Sequence, residues 1–180
     1  MTSLSRKVES LVRDVKDFPK KGVIFKDITP ILRDAVTFDR VLAAIEVYGR
    51  NRGADLVVGI ESRGFIFGAA VAARLELGFA PVRKLGKLPW KTVKQSYTLE
   101  YGKDTVEMHR DAVEKGQRVL VVDDLLATGG TLVGTCKLVE KMGGKVAGCA
   151  CVVELGFLKG RKRLGRRDVF SIVNYGPDGR

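Results

Sequence analysis

The sequence predicts an α/β fold, an open, mostly parallel, doubly wound sheet with a β-hairpin flap and a short N-terminal helix. Uninterrupted apolar runs at Leu56–Ile60 and Arg118–Val122 have the character of strands buried on both faces, as in a parallel sheet. Each run is followed closely by a helical pattern, so strand and helix alternate with short connections. The 180 residues, 45% hydrophobic and 29% charged, suit one domain over 1–180 that buries a proper core.

Along the chain, Leu4, Val8, Leu11, Val12 and Val15 recur at helical spacing and predict an amphipathic helix that ends before Pro19. After Asp34, a stripe of Phe38, Val41, Leu42, Ile45 and Tyr48 predicts a second helix, with Gly53 just past its end. The strand Leu56–Ile60, the turn Glu61-Ser62-Arg63-Gly64 and an Ala-rich helical run to Leu75 make half of a βαβ unit. Phe79–Val82 reads as a strand, and Arg118–Val122 as another. A helix lined by Leu132, Cys136, Val139 and Met142 is stopped by Gly143-Gly144, and strands at Val146–Leu155 and Phe170–Val173 follow. Residues 86–112 differ: they hold Lys and β-formers such as Tyr97, Thr98, Tyr101 and Val106 without a long apolar run, and predict a hairpin flap over the site instead of core.

Lys and Arg outnumber Asp and Glu by 32 to 21, so the net charge of +11 predicts an anionic partner, without choosing among nucleotide, pyrophosphate, nucleic acid and membrane surface. Cys136, Cys149 and Cys151 fit neither a zinc pair nor a disulfide framework and read as reduced core thiols, the last two on one face of a strand. No apolar run approaches a membrane span, and the N-terminus lacks a signal-peptide core; a cytoplasmic location is expected. His109, the sole histidine, reads as solvated surface, as does the run Lys159-Gly160-Arg161-Lys162-Arg163.

The chemistry concentrates in Val121-Val122-Asp123-Asp124-Leu125-Leu126-Ala127-Thr128-Gly129-Gly130-Thr131. Two carboxylates end a buried strand, a loop of small residues follows, and a helix begins. Gly129 and Gly130 let the backbone approach a phosphate, Thr128 and Thr131 supply hydroxyls, and the helix start presents unpaired amides. Asp123 and Asp124, acceptors only, suit vicinal ribose hydroxyls or the waters of a bound Mg²⁺. The same stretch can serve merely as a capped helix start, but the carboxylates would then lack polar partners. It is neither a Walker A loop nor a dinucleotide fingerprint.

This run resembles the 5-phosphoribosyl 1-pyrophosphate (PRPP) signature of the type I phosphoribosyltransferases, acidic pair and Ala-Thr-Gly-Gly-Thr included. Phe18–Pro30, Glu61-Ser62-Arg63-Gly64-Phe65 and Tyr97-Thr98-Leu99-Glu100-Tyr101-Gly102 are similar to the adenine-using branch of that family. The resemblance implies PRPP binding by Arg63, Lys84, Lys87, Asp123, Asp124, Ala127, Thr128, Gly129, Gly130 and Thr131. It implies an adenine pocket at Ile24, Phe25 and Lys26, with the base edge read by backbone and stacked on Phe25. It further implies Glu100 as general acid or base, Tyr101 helping to close the flap, and Mg²⁺ carried mainly by PRPP, with no direct protein ligand beyond Asp123 or Asp124 through water. Adenine and PRPP are then the small-molecule partners, without nucleic acid or membrane, and relatives are typically homodimers, to which residues 3–15 can contribute. Lys26 stands where Arg is frequent in that family, Leu85 where Pro or a basic residue often sits, and Trp90 follows Leu88-Pro89. Two rivals remain at this stage: an enzyme of the same fold using guanine, hypoxanthine, xanthine or orotate, and a PRPP-sensing regulator whose basic surface binds nucleic acid.

Overall fold

The computed structural model describes residues 2–99 and 102–176, with the side chain of Leu99 left undescribed. Its main sheet has seven strands, arising in chain order as β3 (Leu56–Ile60), β4 (Gly78–Lys84), β5 (Thr92–Leu99), β6 (Gly102–His109), β7 (Arg118–Leu126), β8 (Lys145–Leu155) and β9 (Val169–Tyr175). They lie in the order β5-β6-β4-β3-β7-β8-β9. Neighbours from β4 to β9 run parallel, whereas β6 pairs antiparallel with both β4 and β5. From β3 the chain steps outward to β4 and later returns to the other side of β3 as β7. The gap between their carboxyl ends is therefore the topological switch point, where open α/β sheets bind ligands.

The helices are α1 (Ser3–Leu11), α2 (Thr29–Arg33), α3 (Ala35–Asn51), α4 (Gly64–Leu75), α5 (Gly130–Lys141) and the short α6 (Gly160–Arg163). Side chains alternate along the buried strands, so Val57, Leu120 and Val122 join the layer of α3 and α4 while Val58, Val119 and Val121 join that of α5. Each completely buried valine or leucine of this kind contributes about 1.5–3 kcal/mol through apolar burial. Asp34 caps α3, its carboxylate accepting the Thr37 N–H at 2.8 Å. Cys136, Cys149 and Cys151 all face the α5 layer, as expected of core thiols. The neighbouring Cys136 thiol, together with burial, pushes Cys149 above its ordinary range, and burial does the same for Cys151.

Two expectations about these elements are corrected. The N-terminal helix stops at Leu11, and Val15 lies instead in β1 (Arg13–Lys16), which pairs antiparallel with β2 (Ile24–Asp27) in a separate ribbon. Periodicity misled here because Val15 falls on both a helical stripe and a period-two strand. The helix packs against its own chain: Val8 is fully buried, and the Ser5 hydroxyl donates to the Ile172 carbonyl at 2.8 Å. The hairpin β5–β6 extends the sheet through Arg83↔Glu107 and Lys84↔Val106, and its Tyr97, Val106 and Met108 are core residues.

The run Lys159–Arg163 is also no simple solvated face. Arg161 donates to both Glu154 carboxylate oxygens, at 2.9 and 2.5 Å, and Glu154 is buried. Gly160 passes beneath the loop that precedes α5 so closely that a Cβ there would lie 2.1 Å from the Ala127 carbonyl oxygen. Gly160→Ala is therefore expected to destabilise the protein by about 1–3 kcal/mol through overpacking, read as a lower midpoint in urea unfolding.

Candidate active site

The switch-point cleft is a cavity of about 320 Å³ whose polar lining includes Glu61, Arg63, Lys84, Asp104, Asp123 and Asp124. The carboxylates stand there because of register. The ladder between β3 and β7 ends at Gly59↔Val122, while β7 continues on its other side to Leu126↔Glu154. Asp123 and Asp124 thus lie within β7, shortly before its end, where the strand has lost one neighbour and opens onto the cleft. Asp123 lies against α4, whose Gly64 admits it: a Cβ at residue 64 would meet Asp123 Oδ1 at 2.8 Å. The Asp123 carboxylate accepts the Asp124 N–H at 2.9 Å. Burial, with the adjacent Asp124 charge behind it, pushes the Asp123 carboxyl well above its ordinary value.

Arg63 supplies the counter-charge. Its Nη2 lies 2.8 Å from Asp124 Oδ2, an ion pair at hydrogen-bond distance but without hydrogen-bond alignment, so the buried Oδ2 keeps unused acceptor capacity. The same guanidinium sits 5.6 Å from the centre of the Phe25 ring, within cation–π range, and joins the ribbon β1–β2 to the cleft. Phe25 also packs edge-on against Phe18 at 5.1 Å. Ile24 is exposed, and the Lys26 ammonium is turned to the Asp14 carboxylate at 2.8 Å and the Tyr175 ring at 4.2 Å. None of Ile24, Phe25 and Lys26 lines the 320 Å³ cavity itself.

Next to the cleft, Ala127, Thr128, Gly129, Gly130 and Thr131 wrap a smaller cavity of about 70 Å³ at the start of α5, with Asp123 on its wall. Gly129 has φ +78° and approaches Gly160, leaving no room for a side chain. Thr131 donates from its hydroxyl to Tyr97 Oη at 3.3 Å, and the Tyr97 hydroxyl donates to Asp104 at 3.2 Å. The Lys84 ammonium lies 3.6 Å from the same Asp104. Glu100 and Tyr101 fall outside the described residues.

Lys87 is exposed and does not line the cavity; its main chain does the fixing. Its carbonyl accepts from Arg83 at 2.9 Å, and its N–H donates to Glu107 at 3.1 Å. The buried Glu107 also collects the Gly86 and Leu88 N–H groups at 2.9 and 3.2 Å and the Thr92 hydroxyl at 3.1 Å. Glu61 accepts Arg83 at 3.1 and 2.6 Å and the Lys84 N–H at 3.1 Å. Sequence reasoning missed Glu61, Arg83, Asp104 and Glu107 as parts of the site. Glu61 and Arg83 sit beside residues that were picked out, whereas Glu107 gave no local signal. His109, expected on the surface, is half-buried, its Nε2 enclosed and without a hydrogen-bond partner among the described residues, its ring edge-on to the half-exposed Trp90 at 6.2 Å.

Comparison with known proteins gives the geometry its family. Residues 35–179 match the phosphoribosyl transferase domain. The adenine phosphoribosyltransferase of Acidobacterium capsulatum is 55% identical over 168 residues, covering 93% of each chain. The chain belongs to the adenine phosphoribosyltransferase family. Among solved structures of this family, that from Thermoanaerobacter pseudethanolicus is 48% identical, with a TM-score of 0.92 over 95% of this chain and 99% of the other. That from Saccharomyces cerevisiae, solved with an imino-altritol bisphosphate and adenine, is 36% identical, with a TM-score of 0.89 over 96% and 99%.

For Glu107, burial works to raise its pKa, but the Leu88, Lys87 and Gly86 amides and the Thr92 hydroxyl hold it below the ordinary 4.5. A folded-state pKa below the unfolded one adds stability at higher pH that fades as pH falls through the folded pKa. Unfolding free energy should therefore drop below about pH 4.5, and Glu107→Gln should flatten part of that slope while lowering stability at pH 7 by about 1–3 kcal/mol, both measured by chemical denaturation across pH.

Proposed function

We propose that this chain transfers the phosphoribosyl group of PRPP to adenine in the switch-point cleft, giving AMP and pyrophosphate in a purine-salvage reaction. The observation that carries the reading is the Asp123–Asp124 pair standing clear of the end of β3, two residues before the Ala127–Thr131 loop at the start of α5. The carboxylates accept the two ribose hydroxyls, while the loop amides, the Thr128 and Thr131 hydroxyls and the α5 N-terminus take the 5-phosphate. Arg63 and Lys84, across the cleft, meet the pyrophosphate, with Lys87 entering from the loop beyond β4. Phe25 offers an aromatic face to the purine, and the main chain of Ile24 and Lys26 reads its edge, in keeping with a Lys26 side chain engaged elsewhere.

In the reaction a bond forms from a purine nitrogen to C1 of the ribose as the bond from C1 to the pyrophosphate oxygen breaks, through an oxocarbenium-like state. The electron pair of the breaking bond leaves with pyrophosphate, whose growing charge Arg63 and Lys84 stabilise. The proton shed by the purine nitrogen passes to Glu100, the general base in this reading, and Tyr101 and the hairpin exclude water that would hydrolyse PRPP.

The residues fit magnesium. Asp124 Oδ2 is a buried carboxylate oxygen with acceptor capacity left, and Asp123 is its neighbour. Two carboxylates alone give a partial ligand set, which fits an ion that takes its other ligands from substrate and water. When bound, it neutralises pyrophosphate charge and orients the sugar. We read the chain as a cytoplasmic homodimer without nucleic-acid or membrane partners, its basic charge serving anionic substrates. No helix among the described residues is long and apolar enough to cross a membrane.

AMP formation from adenine, PRPP and Mg²⁺, with guanine, hypoxanthine and orotate in parallel, tests the reading. Adenine-selective turnover is expected, with kcat/KM lowered by about 100-fold or more in Asp123→Asn/Asp124→Asn. Binding of PRPP without turnover on any base would overturn the assignment in favour of a sensor.

A further inference from the structure

We propose that Arg163 is a positioning residue that clamps the hairpin β5–β6 to the phosphate-binding loop, holding one main-chain carbonyl of each. Its Nη2 donates to the Thr98 carbonyl at 2.8 Å and its Nη1 to the Thr128 carbonyl at 3.2 Å. Thr98 is near the far end of β5, and Thr128 lies inside the loop that opens α5. One planar guanidinium therefore spans two walls of the site. Its N–H groups leave a rigid fork, so the separation of the two carbonyls is set by covalent geometry, which a lysine ammonium does not reproduce.

The inference rests on the function proposed above, but the clamp stands on its own contacts. The segment that carries Arg163 is braced at its other end. Arg161 is tied to the buried Glu154 and to the Val169 carbonyl at 2.6 Å, and Ser171 donates to Glu154 at 2.8 Å. Between the two arginines and the loop, Gly160 touches the loop backbone: a Cβ on Gly129 would meet the Gly160 carbonyl oxygen at 2.6 Å. The brace thus runs from β8 and β9, under the phosphate loop, to the hairpin. Elsewhere along β5 the hairpin is held to α5 by other means, the Tyr97 ring lying on Gly134 and the Lys141 ammonium donating to the Lys94 carbonyl at 3.0 Å. Arg163 acts beyond these ties, at Thr98, which precedes Glu100 by two residues in the sequence. Losing it frees the end of β5 and leaves the core hairpin in place.

Hydrogen exchange on the full chain with PRPP and Mg²⁺, beside steady-state kinetics, tests this. Arg163→Ala is expected to speed amide exchange at the Thr98–Leu99 end of β5 while β3 and β7 keep wild-type rates, and to raise the KM for PRPP roughly fivefold with a smaller change in kcat, the scale of two exposed charge-assisted hydrogen bonds. Arg163→Lys, which keeps the charge without the fork, should restore only part of the difference. Wild-type exchange in the hairpin of Arg163→Ala, or complete rescue by Lys, overturns the clamp. If Arg163→Ala also loosens β3 and β7, Arg163→Lys decides instead: faster exchange confined to its hairpin supports the clamp, and wild-type exchange there overturns it. A wild-type protein that makes no AMP would sink the proposed function, while the exchange data would still judge the clamp.

Discussion

Two adjacent carboxylates at the end of a central strand repel each other and lose hydration, and the surrounding structure answers that cost. The β3 ladder stops at Val122, which leaves the pair an open side. Arg63, at the turn after β3, brings a guanidinium to Asp124, and Gly64 gives up its side chain so that Asp123 can lie against the helix. With the Asp123 carboxyl shifted toward its neutral form, the site favours any ligand that brings hydroxyl donors or positive charge. Under the proposed reading, a ligand that brings hydroxyl donors or a cation to this pair relieves its repulsion as it binds.

The neighbouring strand end solves the opposite problem. Between β4 and β5 a short loop turns its amides inward, and such a cluster of N–H groups is itself an anion site. The protein fills it with Glu107 and leaves the side chains of the loop free to face outward. Glu61 performs a similar service for Arg83, whose hydrogen bond, the strongest influence on that carboxyl, keeps it ionised. A strongly basic protein thus uses internal acids as scaffolding around its cleft.

The parallel sheet was legible in the sequence because strands buried on both faces must be continuously apolar, and Leu56–Ile60 and Val119–Val122 are. The strand end, loop and helix start at Asp123–Thr131 were legible because their constraints are local: carboxylates, small residues, glycines and hydroxyls follow one another in the chain. What could not be read depends on distant partners. The ribbon β1–β2 has two four-residue strands that share no long apolar face, so the spacing of Val12 and Val15 reads as a continuation of the helix. Lys159–Arg163 looks like any charged surface run until Glu154 and Thr98 are brought beside it by β8 and β5. Glu107 is an unremarkable member of an alternating strand until three amides converge on it.

Lys26 has a wider consequence. Its ammonium is spent on Asp14 and Tyr175, so what this position offers toward Phe25 and the cleft is main chain. Recognition by main chain is insulated from mutation, because exchanging the side chain leaves the pattern of donors and acceptors unchanged. Under the proposed reading, in which the main chain of residue 26 meets the purine, the identity of that side chain is free to drift with the needs of the ribbon. On that reading, redirecting the protein to another purine calls for a new path of the backbone between Phe18 and Pro30, a change of fold geometry instead of a change of letters.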